Sequence, residues 1–166
     1  MKVNSTGIIN GRISDEYGQK GTQFTNGMPS YSLPFTISDS PVGTKSYAVI
    51  FDDDDAVTAC GFTWVHWLIS DLKKTEVGPN ESLNSDDFKQ GVNSWNSCAA
   101  DLTREQASIY GGPAPPNGKH LYTLKVFALD CELGLDNGFR LNELKRKMDG
   151  HVIAHAKIIG SYDMSV

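Results

Sequence analysis

Residues 110–122 constrain the fold more strongly than any other part of the chain. They read Tyr-Gly-Gly-Pro-Ala-Pro-Pro-Asn-Gly-Lys-His-Leu-Tyr, with three glycines and three prolines. The glycines allow positive φ and close backbone approach, whereas the prolines fix φ and remove N–H donors. The apolar run 121–129 follows directly and predicts a strand. Because residues two apart in a strand share a face, His120 and Tyr122 leave it on the same side. The stretch is either a ligand site or a plain loop-to-strand junction.

Composition indicates an ordinary globular protein with one domain, residues 1–166. Hydrophobic and charged residues make up 39% and 21% of the chain, fractions typical of soluble domains. The net charge of −5 argues against nucleic acid as a partner. No apolar run approaches the roughly 20 residues of a membrane span. The first residues lack the pattern of a secretion signal, so we expect a cytoplasmic protein with no integral membrane association.

The three cysteines, Cys60, Cys98 and Cys131, are widely spaced and odd in number. That arrangement fits neither a disulfide framework nor a Cys-x-x-Cys metal site. Reduced thiols are the expectation for a cytoplasmic protein, although a single Cys60–Cys98 bridge stays open.

Two apolar runs in the first half of the chain predict strands that pack in the core. Residues 3–46 indicate short strands joined by Gly-containing turns, and residues 47–51 are rich in β-formers. Residues 64–69 form a second apolar strand, in which Trp64, His66 and Leu68 share one face. His66 is therefore expected to be buried or half-buried.

The second half of the chain adds loops, a late helix and a closing strand. Residues 71–92 indicate a polar loop, and residues 103–106 a short helix that starts near Asp101. The apolar spacing of 141–148 predicts an amphipathic helix that stops at Gly150. Residues 152–159 predict the last strand. Strands separated by turns, with few short peripheral helices, indicate a mainly β fold, an antiparallel β-sandwich.

Several groups of residues are candidates for a functional site, and each also has a purely structural interpretation. The acidic run 52–55 follows a strand, but it lacks the Gly and Glu that a calcium loop needs. A zinc site from Asp53, His66 and His120 has suitable ligand types without a diagnostic spacing. His151 and His155 both have a structural interpretation. The chain also lacks a Gly-x-Ser-x-Gly elbow, a Gly-x-Gly-x-x-Gly motif and a phosphate-binding loop of the correct spacing.

Taken together, these pieces resemble the phosphatidylethanolamine-binding protein family, in its bacterial and archaeal Raf-kinase-inhibitor-like branch. The family has an Asp-Pro-Asp-Ala-Pro segment, a strand with His followed by an aromatic residue, and a Gly-Gly-Pro-x-Pro-Pro loop before His-x-Tyr. The counterparts here are Asp53-Asp-Asp-Ala-Val57, His66-Trp67 and Gly111-Gly-Pro-Ala-Pro-Pro116 with His120-Leu-Tyr122. The tail, residues 150–162, is similar to the family's closing strand.

The resemblance implies a Greek-key β-sandwich with a small preformed anion pocket for phosphate-like groups or phospholipid headgroups. It implies a non-enzymatic binding protein without a cofactor or metal, with a protein kinase as an expected type of partner. Imidazole and phenol are hydrogen-bond donors for phosphate oxygens. The residues implied to line the pocket are Asp53, His66, Gly112, His120 and Tyr122, with Asp55 and Pro113 supporting them.

Some features depart from the family's pattern or leave alternatives open. Asp54 and Val57 stand where the acidic motif has prolines, and the segment 93–109 is long enough to form a lid or a dimer contact. A metal-dependent hydrolase that uses the Asp/His cluster is the alternative from another class. A pure protein-interaction module is a third interpretation. Exposed sheet edges also leave a homodimer open.

Overall fold

The structure is a computed structural model that describes residues 1–164. Its elements are short strands, three helices of up to eight residues, and a few long strands that form the centre. The strands are β1 (Lys2–Asn4), β2 (Ile8–Ile9), β3 (Arg12–Ile13), β4 (Phe24–Thr25), β5 (Met28–Pro29), β6 (Phe35–Ser38), β7 (Ser46–Asp53), β8 (Trp64–Leu72), β9 (Glu76–Val77), β10 (Lys89–Gly91), β11 (Asn96–Ser97), β12 (Ala100–Asp101), β13 (His120–Leu129) and β14 (Val152–Tyr162). The helices are α1 (Val57–Cys60), α2 (Glu81–Asn84) and α3 (Leu141–Met148).

Two sheets form the body of the fold. The larger sheet has seven strands in the order β10-β8-β7-β13-β14-β3-β2, and the smaller one has the order β1-β6-β9. Neighbouring strands are antiparallel except β14 and β3. Within the larger sheet β7, β8 and β10 lie side by side and β13 returns beside β7, which is the Greek-key order. The prediction of a mainly β, antiparallel sandwich is confirmed.

The central strand β7 is buried along its whole length because both of its faces are covered. Tyr47, Val49 and Phe51 belong to the core between the two sheets, together with residues of β6 and β9. Ala48 and Ile50 belong to a second cluster, in which residues of α3 cover the other face of the sheet. Burial on two faces explains why the run 47–51 is apolar without alternation.

Turn chemistry follows the sequence closely. Asn10 and Gly11 have φ of 51° and 75°, and Asn26 and Gly27 have φ of 52° and 80°. Two successive positive φ values belong to type I′ hairpin turns, for which Asn-Gly is the preferred pair. Gly150, with φ of 76°, follows α3 and ends it. The predicted helix 141–148 and its stop are confirmed.

The polar segment 71–92 is more regular than the sequence predicted, because it contains β9, α2 and β10. Residues Lys89–Gly91 pair with β8. The buried Gln90 accepts hydrogen bonds from Trp67 Nε1 at 2.7 Å and Ser82 Oγ at 2.6 Å, and donates to the Ser82 carbonyl at 2.8 Å. A polar side chain that is fully hydrogen-bonded can occupy the interior, and the sequence pattern does not reveal that.

The prediction of a helix that starts near Asp101 is wrong. Thr103 and Gln106 do form a reciprocal cap, with N–H to side-chain distances of 2.9 and 3.2 Å, and Ala107 N–H donates to the Thr103 carbonyl at 3.0 Å. The turn does not propagate, because a single turn is an unfavourable nucleus and the chain straightens before residue 110. No helix among residues 1–164 is long and apolar enough to span a bilayer.

Candidate functional site

The candidate site lies at one end of the larger sheet, where three neighbouring strands meet. Asp53 at the end of β7 pairs with Tyr122 of β13 and with Trp64 of β8. Because these strands are antiparallel, the end of β7 lies beside the starts of both neighbours. Asp53, His66, His120 and Tyr122, which are far apart in sequence, are therefore brought together around one cavity.

The cavity has a volume of about 320 Å³, which is at the lower end of the range for small-molecule sites. Its walls combine aromatic rings with alanines and prolines, and its polar groups lie among them. The lining residues are Asp53, Ala56, Ala59, Cys60, Trp64, His66, Trp95, Ala99, Ala100, Ala114, Pro115, Pro116, His120 and Tyr122.

His120 and Asp53 form a buried pair with 2.7 Å between Nδ1 and Oδ2. His120 Nε2 lies 2.8 Å from Asn117 Oδ1. Asn117 Nδ2 donates to Thr58 Oγ1 at 3.2 Å, and the Thr58 hydroxyl donates to the Asp55 carbonyl at 2.9 Å. This chain of donors assigns the amide orientation, so both ring nitrogens of His120 face acceptors. The two oxygens hold the His120 ring in a fixed orientation between Asp53 and Asn117.

His66 is buried and has the opposite hydrogen-bonding character. Its Nδ1 lies 2.5 Å from the Gly111 carbonyl, and Gly111 N–H donates to the His66 carbonyl at 2.9 Å. A carbonyl only accepts, so Nδ1 carries the proton. Burial lowers the pKa of His66 to about 4, which keeps the ring neutral at pH 7 and leaves Nε2 as an acceptor. The expectation that an N–H of this imidazole serves the ligand is wrong in the neutral ring.

Tyr122 and Trp64 supply the donors that His66 does not. Tyr122 Oη, Trp64 Nε1 and His66 Nε2 are buried and have no hydrogen-bond partner of normal geometry among residues 1–164, although the Tyr122 hydroxyl also interacts with the nearby Asp53 carboxylate. Burial, followed by the charge of Asp53, raises the pKa of Tyr122 far above its usual value, so its hydroxyl keeps the proton. Buried polar atoms are normally paired. Three unpaired ones around one cavity indicate a place for a polar ligand.

Sequence reasoning did not assign Trp64 and Trp95 to the site. The signal for Trp64 was present, because Trp64 shares a strand face with His66. The Trp95 ring contacts those of Trp64 and His66 at centroid distances of 5.1 and 5.5 Å. Trp95, Ala99 and Ala100 belong to the segment 93–109, so that segment forms one wall of the cavity.

The family resemblance implied that Gly112 lines the pocket, but Gly112 lies outside the cavity lining and its N–H is used within the protein. That N–H donates to the Pro29 carbonyl at 2.8 Å. A Cβ on Gly112 would lie 2.2 Å from the Tyr17 carbonyl oxygen. The glycine is therefore required by close backbone packing, which the sequence cannot distinguish from close approach to a ligand.

Asp55 and Pro113 lie outside the cavity lining and hold the surrounding loops. Asp55 Oδ2 accepts the Leu121 N–H at 2.8 Å, which ties the acidic segment to the start of β13. The Pro113 carbonyl accepts the Gln19 N–H at 2.8 Å. Asp55 thus holds the loop through its side chain, and Pro113 through its main-chain carbonyl.

The geometry gives no support to a zinc site at Asp53, His66 and His120. The Nδ1 atoms of the two histidines are engaged with Gly111 and Asp53. Within residues 1–164, three metal-ligand atoms converge at a different place, formed by residues 130, 131 and 151. All three cysteines are free thiols, so the Cys60–Cys98 bridge is not formed.

Comparisons with known proteins agree with this fold. The family model described as phosphatidylethanolamine-binding protein matches residues 4–163. The uncharacterized protein YxkA of Bacillus subtilis is 40% identical over 136 residues, which cover 80% of this chain and 81% of that protein. A protein of Methanothermobacter thermautotrophicus that carries only the family number UPF0098 is 30% identical over 153 residues, covering 89% and 93% of the two chains.

Solved structures show the same architecture. A crystal structure described as a phosphatidylethanolamine-binding protein homologue from Chlamydia trachomatis superposes with a TM-score of 0.79 at 28% identity, covering 99% of this chain and 97% of the other. E. coli YbcL has the same fold, with a TM-score of 0.77 at 23% identity and coverage of 99% and 98%.

Fold and site thus define a β-sandwich with a ligand-sized cavity where three strand ends meet. The chain belongs to the phosphatidylethanolamine-binding protein family.

Proposed function

We propose that this chain is a non-enzymatic binding protein whose cavity takes the monoanion of a small phosphorylated or phosphate-like compound, including a phospholipid headgroup. The observation that supports this most is the set of unpaired buried atoms, Tyr122 Oη, Trp64 Nε1 and His66 Nε2. Two are donors and one is an acceptor. A ligand that satisfies all three must carry both acceptor oxygens and a proton of its own.

A monoprotonated phosphate ester meets this requirement. Its P–O⁻ oxygens accept from Tyr122 and Trp64, and its P–OH donates to His66 Nε2. A dianion would set an oxygen lone pair against the His66 lone pair and would add a second negative charge near the Asp53 carboxylate. The lining includes no Lys or Arg within the described part of the chain, which also favours a single negative charge.

The rest of the cavity suits the organic part of the ligand. Trp95, Ala56, Ala114 and Pro115 are among the lining residues and offer apolar surface. Since the cavity volume of about 320 Å³ exceeds a bare phosphate, an ester should bind more tightly than inorganic phosphate by burying its substituent.

Calorimetry with phenyl phosphate tests the proposal, with phenyl sulfate as the matched ligand that lacks an acidic proton near pH 6. We expect phenyl phosphate to bind and phenyl sulfate to bind at least about tenfold more weakly, since His66 Nε2 then stays unpaired. Tyr122→Phe and His120→Ala should each weaken phenyl phosphate, and Tyr110→Phe should not. Binding retained in both cavity variants would place the ligand elsewhere.

The hydrolase alternative predicts turnover in the same system. We expect no hydrolysis of p-nitrophenyl phosphate with added Zn²⁺ or Mn²⁺. Turnover abolished by Asp53→Asn would favour the enzyme. A protein kinase as regulatory partner is the part of the proposal that rests on family analogy alone.

A further inference from the structure

Three metal-ligand types meet at the far end of β13, away from the cavity. Asp130 and Cys131 follow that strand, and His151 precedes β14. Their ligand atoms all lie within 4.8 Å of one another, although Cys131 and His151 are 20 positions apart in sequence. The cavity begins at the other end of β13, so about 30 Å of strand separates the two places, at roughly 3.3 Å per residue.

The backbone holds these residues in place independently of any ion. Asp130 N–H donates to the His151 carbonyl at 3.1 Å, and His151 N–H donates to the Met148 carbonyl at 3.0 Å, at the end of α3. The Cys131 carbonyl accepts from the buried Ser46 hydroxyl at 2.5 Å. Each of the three residues is thus anchored to a strand or helix of the core.

Solvent reaches the side chains, so an ion can replace the hydrogen bond between Asp130 and His151. Asp130 Oδ1 and His151 Nδ1 are 2.8 Å apart, with side-chain exposures of 49% and 47%, and Cys131 is half-buried. Tetrahedral zinc requires ligand atoms about 3.3–3.6 Å apart, given bonds of about 2.0–2.3 Å. The observed spacings, 2.8 Å for the Asp130–His151 pair and up to 4.8 Å within the cluster, lie on either side of that value.

We propose that Asp130, Cys131 and His151 form a binding site for Zn²⁺, with water as the fourth ligand. One thiolate, one imidazole and one carboxylate are ligands that zinc accepts together, and three protein ligands plus water form an open tetrahedral site. The thiolate sets the selectivity, because Mg²⁺ and Ca²⁺ bind oxygen ligands. When the ion binds, Cys131 releases its thiol proton to solvent, and no redox step occurs.

Co²⁺ is the probe, because it replaces zinc and its bond to a thiolate absorbs in the near-ultraviolet. The full-length protein, stripped with a chelator and kept reduced, is titrated with Co²⁺ and then with Zn²⁺. We expect one equivalent of Co²⁺ to produce the thiolate band and one equivalent of Zn²⁺ to remove it. Mg²⁺ in excess should leave the band unchanged.

Matched variants locate the site. Cys131→Ser should abolish the band, and His151→Ala should weaken binding more than about 100-fold, because loss of second-shell partners alone costs about 10–100-fold. The controls Cys98→Ser and His155→Ala remove an exposed thiol and a nearby histidine of β14, and they should retain the band. All four positions are exposed or half-buried, so the variants should fold, which circular dichroism verifies.

Two results would overturn the proposal. Absence of a thiolate band in the wild-type protein would leave Asp130 and His151 as a surface ion pair. A band that survives in Cys131→Ser or disappears in Cys98→Ser would assign the cobalt to another thiol. Neither result bears on the cavity, so this inference and the proposed function stand or fall separately.

Discussion

Residues 1–164 contain two histidine–aspartate pairs that are chemically alike and differ in burial. His120 and Asp53 are 2.7 Å apart with 4% of each side chain exposed, whereas His151 and Asp130 are 2.8 Å apart with 47% and 49% exposed. Without water, every hydrogen bond of the buried pair must come from the protein. The exposed pair exchanges with solvent, so it contributes little to stability and its atoms remain available to an ion.

The largest expected difference between the two pairs concerns stability. Asp53→Asn removes the buried carboxylate that faces the His120 ring, and it should lower the free energy of unfolding by about 3–5 kcal/mol. The matched variant Asp130→Asn should change it by less than about 1 kcal/mol. Urea unfolding at pH 7 measures both. Equal losses would show that burial does not distinguish the pairs.

A smaller effect is the pH dependence that the buried His66 gives to the free energy of unfolding. The pKa of His66 is about 4 in the folded protein, against 6.5 for an ordinary imidazole. The unfolded state therefore takes up the proton first, and stability falls as the pH decreases from about 6.5 toward 4. At pH 5 this group should cost about 2 kcal/mol relative to pH 7.

The variant His66→Gln isolates that contribution, because Gln keeps a donor for the Gly111 carbonyl and does not titrate. Urea unfolding at pH 7 and pH 5 should show a smaller loss in His66→Gln than in the wild type. An identical loss in both proteins would mean that His66 is not the neutral acceptor described above.

The smallest effect distinguishes a buried hydroxyl that has a hydrogen-bond partner in the protein from one that has none. The Tyr110 hydroxyl donates to the Tyr17 carbonyl at 2.8 Å, whereas the Tyr122 hydroxyl has no partner in the described residues. Tyr110→Phe should cost about 1 kcal/mol, and Tyr122→Phe should lie within about 0.5 kcal/mol of the wild type. Thermal unfolding measures both, and a larger loss in Tyr122→Phe would mean that its hydroxyl stabilises the fold.

Much of the fold was predictable because its central elements carry strong local signals. The apolar runs that became β7, β8 and β13 are rich in β-formers, and α3 has a clear helical period with a glycine stop. β10 was missed because its side chains are polar and its pairing depends on backbone hydrogen bonds with β8. Local sequence does not encode such a partner.

The sequence predicted only part of the cavity lining, because Gly112, Asp55 and Pro113 lie outside it. Asp53, His66, His120 and Tyr122 do meet around one cavity. Burial keeps the His66 ring neutral, and the choice of Nδ1 as its protonated nitrogen depends on a carbonyl 45 residues away. The cluster at the far end of β13 could not be foreseen. Its residues come together because the β13–β14 pairing shifts at Leu129 and because the chain turns after α3.

The central claim is that His66 faces the cavity as a neutral acceptor reserved for a ligand's proton. Nitrogen-15 NMR of the histidine rings, with and without phenyl phosphate at pH 6.5, tests it most directly. We predict that in the free protein His66 has a protonated Nδ1 and an unprotonated Nε2. Saturating phenyl phosphate should shift the Nε2 signal toward the value of a protonated nitrogen. A protonated Nε2 in the free protein, or an Nε2 signal unmoved by the ligand, would contradict the account.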